Sequence, residues 1–305
     1  MDLVREGKKY RLWFLLFSIS IILFPGCYKF EGEQTVPAYL KVDSVYIETV
    51  YSHQGEASAE ITDIWVYVDD QQIGVFELPA LFPVLAQGKH KLEIRPGIKL
   101  NGISSTRVPY PFYKPVIYEN FEFYPDSIHY LGNIKTTYYD NLTFAWMEDF
   151  EAPSLSIKES DDSDTTINRT QPADNPQAWL SDYSRYSGIV TLTGENPYFE
   201  AMSFNAYDLP KEEKPVLLEL NFKTDNYVTV GLFINEPDRY IKSPLVTLNY
   251  SSSWNKIYIN LGPLVSGYPK ATDYKVYFAA QKRHDKTKTN IYLDNIKLIY
   301  RSNSK

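Results

Sequence analysis

The sequence predicts an all-β protein: an immunoglobulin-like β-sandwich followed by a second β-sandwich of the jelly-roll type. Beyond residue 36, apolar and polar residues alternate with the period of a half-buried strand, and no helical period is evident. The apolar runs are short and end at Gly, Pro, Asn or Asp, which is typical of sandwiches. The 26 tyrosines in 305 residues also favour strands and amphipathic contact surfaces.

The first 26 residues have the three-part pattern of a secretory signal peptide. Basic residues between Arg5 and Arg11 precede an apolar run at 12–24, and a small Gly26 precedes Cys27. The apolar run is too short to span a bilayer comfortably as a helix. Cys27 is the only cysteine, and the alternative interpretation is a buried thiol in a short core helix.

The run Leu23-Phe24-Pro25-Gly26-Cys27 resembles a bacterial lipobox. That resemblance implies that Cys27 is acylated, becomes the first residue of the mature protein and anchors it in a membrane. Residues 28–34 contain Glu31 and Glu33 and resemble the acidic export signal of Bacteroidota surface lipoproteins. We therefore expect a tether at 27–36 and an outer-membrane protein, lipid-anchored and facing the cell exterior.

The net charge of the chain argues against nucleic acid as a partner. Removal of residues 1–26 takes away four basic and two acidic residues, leaving 27 Lys+Arg against 36 Asp+Glu, a net charge of −9. No basic stripe is available to neutralise phosphates, so we expect no nucleic-acid partner. With Cys27 acylated, no thiol remains for a disulfide.

The first domain is predicted at residues 37–143. Its expected strands and turns, in order, are Tyr39–Ile47, Ile61–Val68, a turn at 69–72, 73–76, and Lys91–Arg95 closed by Pro96-Gly97. Pro79 and Pro83 are expected to break the run between them. The segments 66–74 and 87–94 resemble the hairpins of PEGA-type immunoglobulin-like surface modules, which implies a structural or adhesive role.

The segment 101–115 is predicted to be a long exposed loop, because its prolines disfavour strand pairing. Arg107, Tyr110, Phe112 and Tyr113 in this loop are candidates for a protein-docking surface. The alternative is a loop that folds back as a lid on its own sheet.

The second domain is predicted at residues 144–305, with a solvated polar loop at 159–175. Its expected strands are 187–192, 216–222, 227–234, 245–248, 256–261, 274–279 and 291–300. The opening Glu-Asp-Phe-Glu at 148–151, the segment 251–264 and the closing segment 291–300 resemble the galactose-binding-like jelly roll of many carbohydrate-binding modules.

That resemblance implies a structural Ca²⁺ between the opening and closing strands. The ligands would be Glu148, Asp149 or Glu151 together with Asp294. The alternative is that Asp294 caps a turn and that the acidic opening segment is solvated.

Sugar binding requires exposed aromatic platforms. Trp179, Tyr183 and Tyr186 precede the strand at Gly188 and form the candidate glycan patch, although burial in the core is the alternative. Trp254 is expected to pack inside the sandwich, as in the segment it resembles.

No catalytic constellation is evident, and the four histidines are scattered without metal-ligand spacing. A carboxylate pair for glycoside hydrolysis is a spatial feature that spacing alone does not reveal, which leaves a hydrolase as a third hypothesis. Ser44, Ser127 and Thr165 lie in Asp-Ser/Thr segments that resemble Bacteroidota O-glycosylation sites, although composition alone gives about one such match.

Two hypotheses therefore lead. The first is a non-catalytic surface lipoprotein that docks on an outer-membrane β-barrel or surface protein complex for assembly, secretion or uptake. The second is a glycan-binding lipoprotein of a polysaccharide-uptake system.

Overall fold

The computed structural model describes residues 36–301, and Pro37 onward forms one compact unit. The predicted signal peptide, Cys27 and nearly all of the tether lie outside the described residues. The strands of the described part are β1 Ala38–Glu48, β2 Asp63–Val68, β3 Gln71–Glu77, β4 Ala80–Val84, β5 Gly88–Lys99, β6 Arg107–Pro109, β7 Val116–Phe123, β8 Ile128–Thr137, β9 Leu142–Glu148, β10 Ile157–Glu159, β11 Asn168–Thr170, β12 Ser187–Leu192, β13 Tyr198–Ser203, β14 Val216–Thr224, β15 Val228–Glu236, β16 Arg239–Leu248, β17 Ser251–Asn260, β18 Asp273–Gln281 and β19 Thr289–Arg301. Two short helices, α1 Tyr51–Gln54 and α2 Gly262–Ser266, complete it.

The first sandwich packs the sheet β4-β1-β8 against the sheet β3-β2-β5-β6, in which β7 also pairs with β5. Strands β1 and β8 run parallel, and the other pairs are antiparallel. The β2–β3 hairpin turns at Asp69 and Asp70, whose φ angles of 47° and 65° are those of a two-residue type I′ turn. Alternate residues such as Leu40, Val66 and Leu92 are fully buried between the sheets.

Two proline predictions in this domain are wrong. Pro83 lies within β4, which tolerates it because β4 is an edge strand and one side of its backbone needs no partner. Pro96 and Gly97 lie within β5 rather than closing it. Pro96 is accommodated where the partner of β5 changes from β7, which ends its pairing at Ile94, to β6, which begins at Gly97.

The second sandwich packs the sheet β10-β13-β18-β15-β16 against the sheet β11-β12-β19-β14-β17, in which β9 also pairs with β19. Its core includes Val190, Phe199, Leu218, Val230 and Phe278, each fully buried. The all-β prediction and the β-sandwich architecture are confirmed. Each strand presents every second side chain to this core, although strands such as β14 and β19 are buried on both faces.

The two sandwiches share a third apolar cluster. Tyr110, Phe112 and Tyr138 of the first sandwich pack with Leu217 and Tyr258 of the second. The predicted boundary at 143/144 falls inside β9, which pairs with the last strand of the chain. Within the described residues, no helix has both the length and the apolar character needed to cross a membrane.

Candidate functional site

The outer face of the sheet β10-β13-β18-β15-β16 carries a shallow groove of about 570 Å³. The face exists because strand alternation sends Val230 and Leu232 inward to the core and leaves Thr229, Gly231 and Phe233 outward. The groove is lined by Tyr198, Tyr227, Thr229, Lys242, Pro244, Tyr277, Ala279, Ala280 and Gln281.

A glycine lies beneath one of the tyrosine rings of the groove. Gly231 pairs with Tyr277 on one side and with Pro244 on the other. A Cβ atom built at Gly231 would lie 2.7 Å from Cε1 of Tyr277 and 2.3 Å from the carbonyl oxygen of Ser243. Glycine at this position therefore lets the Tyr277 ring lie across the strand, which fits the use of glycine in a strand where close approach is needed.

An ion pair between the exposed Lys242 and the buried Glu200 lies beside the aromatic rings. The ammonium of Lys242 pairs with the carboxylate of Glu200, which is 2% exposed, and lies 5.2 Å from the centre of the Tyr277 ring. The hydroxyl of Tyr198 donates a 2.7 Å hydrogen bond to Oε2 of Glu200. Burial opposes ionisation, yet hydrogen bonds from Lys242 and Tyr198 hold the pKa of Glu200 below its ordinary value. Lys242 is the one charged residue lining the groove, and because Glu200 compensates it, the lining carries no net charge.

Aromatic residues continue beyond both ends of the groove. At one end, Tyr240 is 57% exposed and stacks on Phe233, with ring centres 5.2 Å apart. At the other end, the guanidinium of Arg283 lies 5.7 Å from the ring of Tyr227 and 5.1 Å from that of Tyr250. From Tyr227 to Phe233 the strand rises about 20 Å, long enough for an extended chain ligand.

The predicted glycan patch does not form a single platform. Trp179 is half-buried, donates a 3.0 Å hydrogen bond to Glu56 and meets Trp254 edge to face at 5.4 Å. Tyr186 is half-buried and lies 3.9 Å from the guanidinium of Arg169, whereas exposed Tyr183 stacks on Tyr51 at 5.4 Å. Each ring thus contacts a different partner and fastens the 171–186 loop.

The expectation for Trp254 is wrong. Ile257 and Ile259 of β17 face the core, so Trp254 lies on the opposite face of the strand. Its indole nitrogen donates a 3.0 Å hydrogen bond to the carbonyl oxygen of Gln177.

The predicted docking loop is also corrected. Tyr110, Phe112 and Tyr113 are 2%, 0% and 3% exposed, because they fill the space between the two sandwiches. Arg107 is half-buried and pairs with Asp63 and Glu77 on its own sheet. The alternative of a folded-back loop is closer to the structure, but the loop covers the second sandwich as well as its own sheet.

The four predicted calcium ligands are largely occupied by protein donors. Glu148 accepts hydrogen bonds from the amides of Phe150 and Ser156 and from the Ser156 hydroxyl. Glu151 accepts from the amides of Arg185 and Tyr186. Within residues 36–301, no three His, Cys, Asp or Glu side chains form a group that could hold a metal ion.

The other two acids, Asp149 and Asp294, accept hydrogen bonds from hydroxyl groups. Asp149 accepts a 2.7 Å hydrogen bond from the hydroxyl of Tyr51, and Asp294 accepts one of 3.2 Å from Ser184. Burial raises the pKa of Asp294 well above its ordinary value, with further contributions from Glu56 and Asp149. Nearby, Nζ of Lys297 donates a 2.6 Å hydrogen bond to the carbonyl oxygen of Glu56. In this arrangement protein groups occupy the acids, and calcium binding stays a prediction.

The candidate O-glycosylation residues are half-buried at the surface. Ser44 donates a 2.8 Å hydrogen bond to Asn133, Ser127 a 3.4 Å bond to the carbonyl oxygen of Pro125, and Thr165 a 3.4 Å bond to that of Thr191. Their modification stays a prediction.

A second depression, of about 590 Å³, lies where the two sandwiches meet. Its walls include Leu100, Pro109, Pro111, Pro215 and Pro263. Glu213, Lys214, Asn260 and Ser266 also line it, so this depression combines apolar walls with charged and polar groups.

Sequence reasoning missed the groove. The strands of the groove have nearly continuous apolar sequences, such as 274–280. In such a sequence, the pattern does not show which aromatic side chains face outward and which face the core. The available signals were Gly231 inside a strand and the alternation of Tyr240 and Lys242 with Ile241 along β16.

No protein-family description and no curated protein matches the chain. Solved structures that resemble it include a carbohydrate-binding module of the β-sandwich superfamily, at 12% identity and a TM-score of 0.37 over 77% of this chain and 84% of that one. The family 11 carbohydrate-binding module of a cellulosomal cellulase of Clostridium thermocellum matches at 14% identity and a TM-score of 0.33, over 52% and 94%.

One matching structure is an enzymatically active domain, from a tailspike protein of bacteriophage CBA120. It is 8% identical with a TM-score of 0.36, over 53% of this chain and 19% of that one. At these TM-scores the likenesses carry no argument about what this chain binds.

Proposed function

We propose that the second sandwich binds a polysaccharide chain along the groove between Tyr227 and Phe233. The observation that carries the proposal is that one groove holds the half-buried Tyr198 ring, the exposed Tyr227 ring and the Lys242–Glu200 ion pair. Sugar rings present C–H faces that pack on aromatic rings and hydroxyl groups that bond to charged donors and acceptors. A concave surface with apolar walls and a few placed polar groups is typical of a binding site.

The electrostatics of the groove indicate the class of glycan. Lys242 and Glu200 neutralise each other, and the other lining residues are uncharged. A neutral glycan loses no ionic hydration on entering such a groove, whereas a uronate or sulfate would lose hydration without gaining an unpaired cation. A neutral, extended polysaccharide is therefore the expected ligand.

This proposal adopts the second hypothesis from the sequence, glycan binding. It places the binding site in the groove rather than at Trp179, Tyr183 and Tyr186. The first hypothesis, a subunit that docks on an outer-membrane complex, depended on the loop at Tyr110–Tyr113, whose rings are buried. We propose further that the protein is non-catalytic and works from the cell surface, held there by acylated Cys27.

Affinity electrophoresis of the protein in gels that contain single polysaccharides tests the proposal. The panel includes neutral β-glucans, xylans, galactans and mannans together with acidic pectins and alginate. The expected result is retardation by at least one neutral glycan. Retardation by acidic glycans alone, or by none of the panel, would contradict the proposed groove chemistry.

A further inference from the structure

The outer face of the sheet β4-β1-β8 in the first sandwich is apolar. Strand register places Tyr39 between Pro83 and Ile128, and Lys41 between Leu81 and Tyr130. Leu85 directly follows β4 and continues the series of outward side chains formed by Leu81 and Pro83. We call this surface the β4-β1-β8 face.

Its large side chains are exposed to an unusual degree. Leu81, Leu85, Ile128 and Tyr130 are 58%, 71%, 46% and 69% exposed. The alternate residues Leu40, Val42 and Phe82 fill the core, so the exposed side chains are the second apolar face of a sheet whose first face is already packed. Contiguous apolar surface of this kind on a soluble domain marks a contact site rather than a random scatter of apolar residues.

The charges on this face cancel. Lys41 lies 3.6 Å from Asp43, and its ammonium is 5.4 Å from the centre of the Tyr130 ring. Farther along the same strands, Lys135 pairs with Glu48 at 2.9 Å. A face without net charge, on a mature chain of net charge −9, is suited to approach a surface that is itself apolar or anionic.

The chain enters the sheet at the edge of this face. The carbonyl oxygen of Pro37 accepts a 2.9 Å hydrogen bond from Asp126, and the amide of Tyr39 donates one of 2.8 Å to Ser127, next to Ile128. Cys27 precedes Pro37 by ten residues, which span at most about 35 Å when fully extended. An acyl group on Cys27 would hold the face within that distance of the bilayer.

We propose that the β4-β1-β8 face rests on the lipid bilayer surface, as a second, non-covalent contact beside the acyl anchor. Tyrosine and aliphatic side chains gain free energy at the boundary between headgroups and acyl chains. The tether makes the contact effectively intramolecular, so a patch too small to bind vesicles alone is sufficient. The inference rests on the predicted acylation of Cys27 and does not depend on glycan binding.

Fluorescence quenching on the acylated full chain tests the proposal. Leu85→Cys is labelled with bimane, and the protein is placed in vesicles of phosphatidylethanolamine and phosphatidylglycerol that contain a lipid with a nitroxide near its headgroup. Phe204→Cys, at an exposed position of the second sandwich, is the matched control. The label at position 85 is expected to be quenched at least threefold more strongly than the label at position 204.

A combined Leu81→Ser, Ile128→Ser and Tyr130→Ser change in the Leu85→Cys background should reduce the quenching to the control level. Because these side chains are exposed, the three substitutions should leave the melting temperature unchanged. Equal quenching at positions 85 and 204 would overturn the proposal. The proposal would also be overturned if the label at position 85 were shielded from aqueous iodide but not quenched by the lipid nitroxide. Such a result would indicate that a protein partner covers the face. If Cys27 of the otherwise native chain reacts with maleimide, the cysteine is not acylated, and the proposal is overturned because it rests on that acylation. This outcome is independent of the result of the glycan panel.

Discussion

The hydroxyl of Tyr110 in the first sandwich donates a 2.5 Å hydrogen bond to Oε1 of Glu219 in the second sandwich. Glu219 is fully buried, accepts a second hydrogen bond from Tyr138 at 2.9 Å and lies 3.2 Å from the ammonium of Lys256. Burying a carboxylate is costly unless hydrogen bonds and a counter-charge compensate it. The first sandwich thus supplies hydroxyl donors that a buried acid of the second requires, and this couples the stability of the two.

Tyr110→Phe should lower the free energy of unfolding by about 1 to 3 kcal/mol, because it removes one donor and leaves the buried carboxylate less well satisfied. Differential scanning calorimetry should show a melting temperature lower by several degrees. Tyr250→Phe makes the same chemical change at an exposed ring and should have little effect. Equal melting temperatures for the two variants would show that the Tyr110 hydroxyl does not couple the sandwiches.

The buried Lys297 predicts a pH dependence of stability. Burial, and secondly the nearby Lys256, lower the pKa of Lys297 to about 7, although Glu219, Glu56 and Asp149 favour its charged form. The unfolded chain, with an ordinary lysine pKa of about 10.4, binds more protons between these two values. The contribution of Lys297 to stability therefore rises as pH increases from about 7 toward 10, and is smallest below pH 7.

Lys297→Met should flatten the increase in stability between pH 7 and pH 9, where buried tyrosines with raised pKa values are still neutral. Urea unfolding at a series of pH values measures this slope. Asp294 acts in the opposite sense, because its pKa is raised in the fold and its contribution is lost as pH rises. An identical pH profile for the native chain and Lys297→Met would contradict the assignment.

The sequence predicted the strands well and the contacts between distant strands poorly. Strands such as β1 and β2 were found because every second side chain is apolar, which is a local property. The burial of Tyr110, Phe112 and Tyr113 depends on Leu217 and Tyr258, more than 100 positions away, and no local pattern encodes it. The loop prediction for 101–115 holds only in part, because Arg107–Pro109 forms β6 and pairs with β5. The remaining loop lies between two sandwiches, and it has the same local composition as an exposed loop.

The candidate site was missed for a related reason. Tyr277 lies on an outer face, but its neighbours Val276 and Phe278 are core residues, so the strand reads as buried throughout. Trp179 and Trp254 instead contact each other and hold the 171–186 loop. Which face of a strand is open depends on the second sheet, and the sequence of that strand does not contain this information.

Chelation tests the predicted calcium site. Bound Ca²⁺ would stabilise the native state, so EDTA would lower the melting temperature and Asp294→Ala would reproduce that loss. The acids of the described region are satisfied by amides and hydroxyls, so their geometry instead predicts an unchanged melt in EDTA. A fall of several degrees that added Ca²⁺ reverses would show that the acids rearrange around an ion.

Anchoring at Cys27 is tested by Cys27→Ser. The serine variant should be released from membranes into the soluble fraction, because a hydroxyl cannot receive the thioether-linked lipid. Mass spectrometry of the native protein should find acyl chains on its first residue. A serine variant that still sediments with the outer membrane, together with an unmodified native cysteine, would contradict the lipoprotein assignment.

The central claim is that the groove between Tyr227 and Phe233 binds a glycan, and isothermal titration calorimetry tests it most directly. With a neutral oligosaccharide from the polysaccharide that retards the protein, Tyr198→Ala and Tyr227→Ala should each weaken binding by about tenfold, about 1.4 kcal/mol, through loss of apolar contact. Tyr183→Ala, which removes an exposed ring outside the groove, should leave the Kd unchanged. Native affinity in both groove variants, with binding lost in Tyr183→Ala, would contradict the account and move the site to the 171–186 loop.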